Sequence, residues 1–244
     1  MIARGLLVLA SLGTFACMRD QPAAPSFRAE GYVNAADDAT RVYEITIDNL
    51  TSGQPLSPGV AVAHTREAGI FALGAMASEG IRLIAEQGDP STAISEISGA
   101  TGVARVVNTG VPIHRVGGPG PSSLTIALEA SANANRLSLA VMLICTNDGF
   151  AGLNSVKLPG GFEPITFYAM GYDAGTEVND ETSLSIVDPC GAIGPVALAA
   201  DGDSRTAQGG VVTMHAGIEG GGALIPGSHG WTEPVARVTV RRIG

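Results

Sequence analysis

From Tyr43 to Asp48 the side chains alternate: Tyr43, Ile45 and Ile47 are apolar, while Glu44, Thr46 and Asp48 are polar. A period of two puts each set on its own face, the pattern of a strand with one side buried. The same alternation returns in Leu124, Ile126 and Leu128 against Thr125, Ala127 and Glu129. It returns again in Ala236, Val238 and Val240 against Arg237, Thr239 and Arg241. Arg136 to Cys145 is a stronger apolar run, which predicts a strand covered on both faces. Val60–His64, Val103–Val107, Val111–Val116, Ile165–Tyr172 and Val211–His215 read as further short strands. Only Ala75–Gln87 changes period: Met76, Ile81, Leu83, Ile84 and Ala85 predict a short helix, closed by Gly88 and Pro90. Loops rich in Gly and Pro separate these segments, among them Gly117–Pro121 and the stretch 217–230. A set of about seven to nine strands with one helix predicts an all-β chain, an antiparallel β-sandwich with long loops.

The first 38 residues follow neither period. Arg4 precedes the apolar run Gly5–Ala10, and the small residues Thr14 and Ala16 stand just before Cys17. The run is far short of the roughly 20 residues a membrane-spanning helix needs. Residues 1–17 are therefore expected to be an export signal. Cleavage after Ala16 would release a secreted protein; lipid attachment to Cys17 would anchor it to the envelope. Thr14 occupies the place where the lipid-attachment box usually has Leu. Residues 18–38, with Pro22 and Pro25, read as a tether, and residues 39–244 as one domain. Charged residues make up 15% of the chain and the net charge is −9. That balance excludes the basic stripe that nucleic-acid binding needs, and it disfavours unaided binding to anionic membranes.

The chain has three cysteines. If Cys17 is lipidated or removed, Cys145 and Cys190 remain as a pair in an oxidising compartment, and a disulfide between them is expected. The alternative is two buried free thiols.

Candidate chemistry sits in two Gly-containing loops at the ends of apolar runs: Cys145-Thr-Asn-Asp-Gly-Phe-Ala-Gly152 and Tyr172-Asp-Ala-Gly-Thr-Glu177. Asp148 and Asp173 each follow a predicted strand. If those strands are neighbours, both loops emerge at one end of the sandwich. Glu177, across Gly175, can fold back to the same point. Three carboxylates with backbone carbonyls suit calcium, which takes six to eight oxygen ligands. No His lies between Asp148 and Glu177, so zinc, copper and iron fit poorly. The plain alternative is that these are turn residues, where Asp is common. Asp201-Gly-Asp203 lacks the rest of a calcium loop and reads as a turn; Asn179-Asp-Glu181 reads as a solvated loop, with an outer ligand to the cation as the alternative. The four His are scattered, and no nucleophile motif is present. Asp148 with Glu177 could in principle form a glycosidase acid pair, but aromatics, at 5%, are too few to line a sugar cleft.

Asn147-Asp-Gly-Phe-Ala-Gly152 resembles the Pro-Asp-Trp-Phe-Val-Gly segment of the spondin N-terminal domain, and Asp173-Ala-Gly-Thr-Glu177 resembles its Asp-Ala-Gly-Thr-Asp segment. Tyr43–Thr51, Pro58–His64, Leu83–Gly88 and Pro234–Val240 are similar to flanking elements, so the resemblance runs from about residue 42 to the C-terminus. It implies the same β-sandwich and calcium held at the three matching positions, Asp148, Asp173 and Glu177. Two departures stand out: Glu177 replaces the family's last Asp, and Gly149 replaces its Trp. The family's animal members carry this domain in extracellular matrix and adhesion proteins. The resemblance implies a bacterial single-domain relative, secreted or anchored to the outer envelope. It would be a non-enzymatic module for adhesion or ligand binding, with a protein or polysaccharide partner. A secreted hydrolase using the acidic cluster, and an envelope protein in which calcium only stabilises the fold, are the alternatives.

Overall fold

The computed structural model describes residues 39–244. The expected signal at 1–17, with Cys17, and the tether at 18–38 lie outside the described residues. The described elements run β1 (Thr40–Asn49), β2 (Leu56–His64), α1 (Glu79–Gln87), α2 (Ser91–Ile97), β3 (Val103–Asn108), β4 (Ser123–Ser131), β5 (Arg136–Leu143), β6 (Gly149–Lys157), β7 (Ile165–Asp173), α3 (Pro189–Ile193), β8 (Thr213–Met214), α4 (Pro226–His229) and β9 (Ala236–Arg242). Every strand pairing among them is antiparallel.

The strands follow the order β3-β2-β5-β6-β7-β9-β1-β4. β7 is the hinge of this order. Its first half, Ile165–Ala169, pairs with β9. Its second half, Met170–Asp173, pairs with β6 and then with the short β8. One long strand thus feeds two sheets, and the two ends of the order, β3 and β4, approach each other. The result is an all-β, nearly closed sandwich.

The alternation read from sequence fills its centre. Tyr43, Ile45 and Ile47 of β1 meet Val238 and Val240 of β9 in one core with Leu137, Leu139, Val141 and Leu143 of β5. The other face of β5 is also covered. Ala140 lies in a second core with Val60, Val62, Phe150 and Tyr172, under Ile81, Ile84 and Ala85 of α1. This is why Leu139–Cys145 is apolar throughout: one face packs on the opposite sheet, the other on a helix. Phe71, Phe150 and Tyr172 form an aromatic cluster there, with ring centroids 5.0–5.4 Å apart.

Several elements differ from expectation. The helix begins at Glu79, not Ala75, because the Ser78 side chain caps Ile81 N–H and starts it there. Met76 is left 75% exposed. It ends as expected at Gly88, in the left-handed conformation with φ 67°. α2, α3 and α4 are short helices beyond the single one expected. Val111–Val116 is not a strand; only Ile113 bridges to Leu56. β6 was hidden because Gly149, Gly152 and Asn154 break its apolar pattern. It lies between β5 and β7, so these two are not direct neighbours.

Candidate cation site at the β6–β7 end

β6 brings the two acidic loops together. Its first residue, Gly149, stands opposite Asp173, the last residue of β7. The register continues one step further, where Ala174 N–H donates to Asp148 O at 3.0 Å. Asp148 therefore immediately precedes β6 where Asp173 ends the adjacent β7. Gly149 is tight: a Cβ there would lie 2.5 Å from Thr146 Oγ1 and 3.0 Å from His215 Cδ2. With these neighbours a Trp has no room at this position.

Asp148 is fully buried. Its Oδ2 accepts from Thr176 N–H at 2.7 Å, Glu177 N–H at 3.0 Å and Thr176 Oγ1 at 3.2 Å. Its Oδ1 is buried with no hydrogen bond among the described residues. Burial, and then the nearby Asp173 carboxylate, push the Asp148 pKa up to about 6. Asp173 is held at both oxygens, by Gly175 N–H at 2.6 Å and Asn179 Nδ2 at 2.6 Å. Gly175 has φ 70°, the left-handed turn that folds the chain back toward Asp148.

Glu177 reaches the same end by its backbone, but its side chain turns aside. Oε1 accepts from Asn147 Nδ2 at 3.2 Å, and Oε2 lies 3.4 Å from Arg205 Nε in an ion pair. Glu177 is 1% exposed, and Oε2 has no hydrogen bond among the described residues. Burial, opposed by Asn147 and Arg205, raises its pKa to about 8. Glu177 and Arg205 line a cavity of about 400 Å³ with Arg82, Glu86, Gln87, Thr176 and Ala207.

Three further polar residues are built into this end, and one of them, Asn147, opens the first acidic motif itself. Asn147 is a hub: Nδ2 reaches Glu177, Asp180 Oδ1 and Ser185 Oγ, while Oδ1 accepts from Glu181 N–H. Glu181 belongs to the stretch read as a solvated loop, yet it is 4% exposed. Its carboxylate is cradled by the backbone N–H groups of Glu219, Gly220 and Gly221. Arg205 comes from the patternless segment after Cys190. Asp201-Gly-Asp203 is a turn, as read: Asp203 N–H donates to Asp201 Oδ1 at 3.1 Å.

The cysteines meet. Cys145 and Cys190 form a disulfide with a Cα–Cα distance of 5.1 Å. Both are buried in a third core with Met142, Ile144, Ile186 and Leu224. The ring they close contains Asp148, Asp173 and Glu177. Buried His229 lies beside the bridge. Its Nδ1 accepts from Ile225 N–H at 2.9 Å, which leaves the proton on Nε2.

The acidic loops, the turn across Gly175 and the strands between them fall within one span. The Spondin_N family model, for the spondin N-terminal domain, matches residues 51–185, more than half the chain. The chain belongs to this family. No curated protein matches it. The spondin match covers β2 to β7 and both acidic loops, and ends before Arg205 and the last strands.

As a cation site, this end has the right donors and an incomplete arrangement. The donors are hard carboxylate oxygens, two of them buried without a hydrogen bond. A bare buried carboxylate oxygen is costly, and a cation would relieve it. Among the described residues, however, the three carboxylates are not gathered within 4.8 Å of one another; only Cys145, Cys190 and His229 form such a group. The sulfurs of that group are spent on each other. No helix among the described residues is long and apolar enough to cross a membrane.

Proposed function

We propose that this chain is an extracytoplasmic, non-enzymatic module of the spondin type that binds calcium at Asp148, Asp173 and Glu177. Calcium would tie the two acidic loops and present a rigid end of the sandwich to an extracellular or envelope partner, a protein or a polysaccharide. The observation that carries the reading is Asp148 Oδ1: a buried carboxylate oxygen without a donor, beside a second carboxylate, at the spondin motif. Calcium supplies charge and ligation there; the chain supplies hard oxygens and loops held by Gly175 and Asn179. Secretion, with or without a lipid on Cys17, fits both the family and the disulfide.

The hydrolase alternative finds carboxyls with raised pKa values but little else. Asp148 is closed to solvent, and its Oδ2 is committed to three donors. Among the described residues no histidine nitrogen hydrogen-bonds to either carboxylate.

Thermal melting with calcium and with chelator tests the metal. The melting temperature should rise by several degrees with calcium, and Asp148→Asn should abolish most of the rise, while Asp203→Ala should leave it intact. Equal melting temperatures, with no calcium by elemental analysis, refute the site. Glycan and surface-binding arrays, run with calcium and with chelator beside a hydrolase screen, test the module. Saturable turnover lost in Glu177→Gln would replace it with an enzyme.

A further inference from the structure

Calcium holds its oxygen ligands at 2.3–2.6 Å, so oxygens sharing one ion lie within about 5 Å of each other. The three carboxylates are not gathered that closely, so at least one must turn for all three to share an ion. Asp148 is fixed by three donors on Oδ2, and Asp173 by Gly175 and Asn179 on its two oxygens. Glu177 has the longest side chain and the weakest tie. Oε1 accepts one long hydrogen bond, from Asn147 Nδ2 at 3.2 Å, while Oε2 makes none and is held by charge, 3.4 Å from Arg205 Nε. Arg205 is itself anchored, with Nη2 donating to Glu86 O at 3.1 Å on α1. Its side chain is 24% exposed and lines the cavity beside Glu177.

We propose that Arg205 is a built-in counter-ion that competes with the cation for Glu177, so that Glu177 exchanges one positive partner for another when the site fills. The proposal rests on the calcium reading above. Without a cation, Arg205 keeps a buried carboxylate from standing alone, a state that is strongly unfavourable when one partner of a buried pair is missing. With a cation, Glu177 turns toward Asp148 and Asp173, and Arg205 is released to the solvated cavity. The affinity for calcium is then set by a difference between two ion pairs. Arg82 lines the same cavity but is engaged elsewhere, with Glu79 at 2.5 Å and Glu86 at 2.5 Å, and has no part in the exchange.

Isothermal calorimetry with calcium chloride, at an alkaline pH where carboxylates ionise, should show Arg205→Gln binding about tenfold more tightly than the parent chain, which corresponds to about 1.4 kcal/mol. Arg82→Gln should bind as the parent does. Melting in chelator should show Arg205→Gln less stable, so that its calcium-induced rise is larger. Because that variant could fail to fold, the calcium-loaded crystal structure of the unaltered chain gives a second reading: Glu177 on the ion and Oε2 beyond 4 Å, the ion-pair limit, from Arg205. Calcium held by Asp148 and Asp173 alone, with Glu177 still on Arg205, overturns the proposal, as does equal or weaker affinity in Arg205→Gln. No heat from any variant would overturn the calcium reading itself, and this proposal with it.

Discussion

His64 shows how tightly one residue can be specified inside a β-sandwich. Its Nδ1 is 2.7 Å from Thr65 O, a pure acceptor, so that nitrogen carries the proton. Nε2 then accepts from Ser138 Oγ at 2.8 Å, and Ser138 Oγ in turn accepts from Ser155 N–H at 3.0 Å. The ring is fully buried, and burial lowers its pKa from the ordinary 6.5. Below that value the unfolded chain takes up a proton that the folded chain resists. The stability that His64 contributes is therefore complete above pH 6.5 and falls as pH drops toward the depressed folded value, by up to about 1.4 kcal/mol per pH unit. The groups bearing on it are Arg136, which also lowers the pKa, and the Thr65 and Ala68 backbone, which raise it. Asp148 and Glu177, with raised pKa values, act in the opposite sense over the same window, so urea unfolding at pH 7.5 and 5.5 should show the parent losing stability relative to His64→Gln as pH falls; the same slope in both proteins would remove His64 as a contributor. From sequence, His64 reads as half-buried and hydrogen-bonded. The bonding is as read, but the burial is greater, because β2 lies between β3 and β5 rather than at an edge. Glu177 was legible as an acid of the second loop. Its pairing with Arg205 was not, because a contact across 28 residues of mostly irregular chain leaves no local period.

At the level of elements, α1 repays attention because it turns β5 from a one-sided strand into a two-sided one. It packs against α2 at Gly80, where a Cβ would collide with the Ala93 backbone, while Glu96 Oε2 accepts from Gly80 N–H at 2.9 Å. Gly80→Ala should therefore pry the two helices apart and cost about 1–3 kcal/mol despite the better helix propensity of Ala. Denaturant unfolding measures it; a neutral or stabilising change would show that α2 moves freely. Strands with a clean alternation, β1, β4 and β9, were legible almost to their ends, since one face meets the core and the other solvent. β6 was not. Its Gly149 and Gly152 are required by crowding, with a Gly152 Cβ landing 2.9 Å from Phe71 Cζ, and close approach leaves no hydrophobic signature. The candidate site inherited that gap. The two acidic motifs were visible, but the strand that brings them into register was not.

Across the whole molecule, the β7 crossover and the Cys145–Cys190 bridge hold the site end together. The bridge spans 45 residues, and closing such a loop stabilises the fold by about 4 kcal/mol in the chain-entropy model. Cys145→Ala with Cys190→Ala should lose 2–5 kcal/mol in denaturant unfolding, and a loss below 1 kcal/mol would mean that the surrounding core alone fixes this end. The same ring has a consequence for cleavage. Its most open stretch is the loop before β7, where Gly160–Pro164 are exposed and Phe162 is 64% exposed. A protease that cuts after aromatic residues should nick there first. The covalent ring would then keep both fragments in one particle. On a gel the nicked protein should run as one band without reductant and as two with it, its β6–β7 pairing still intact.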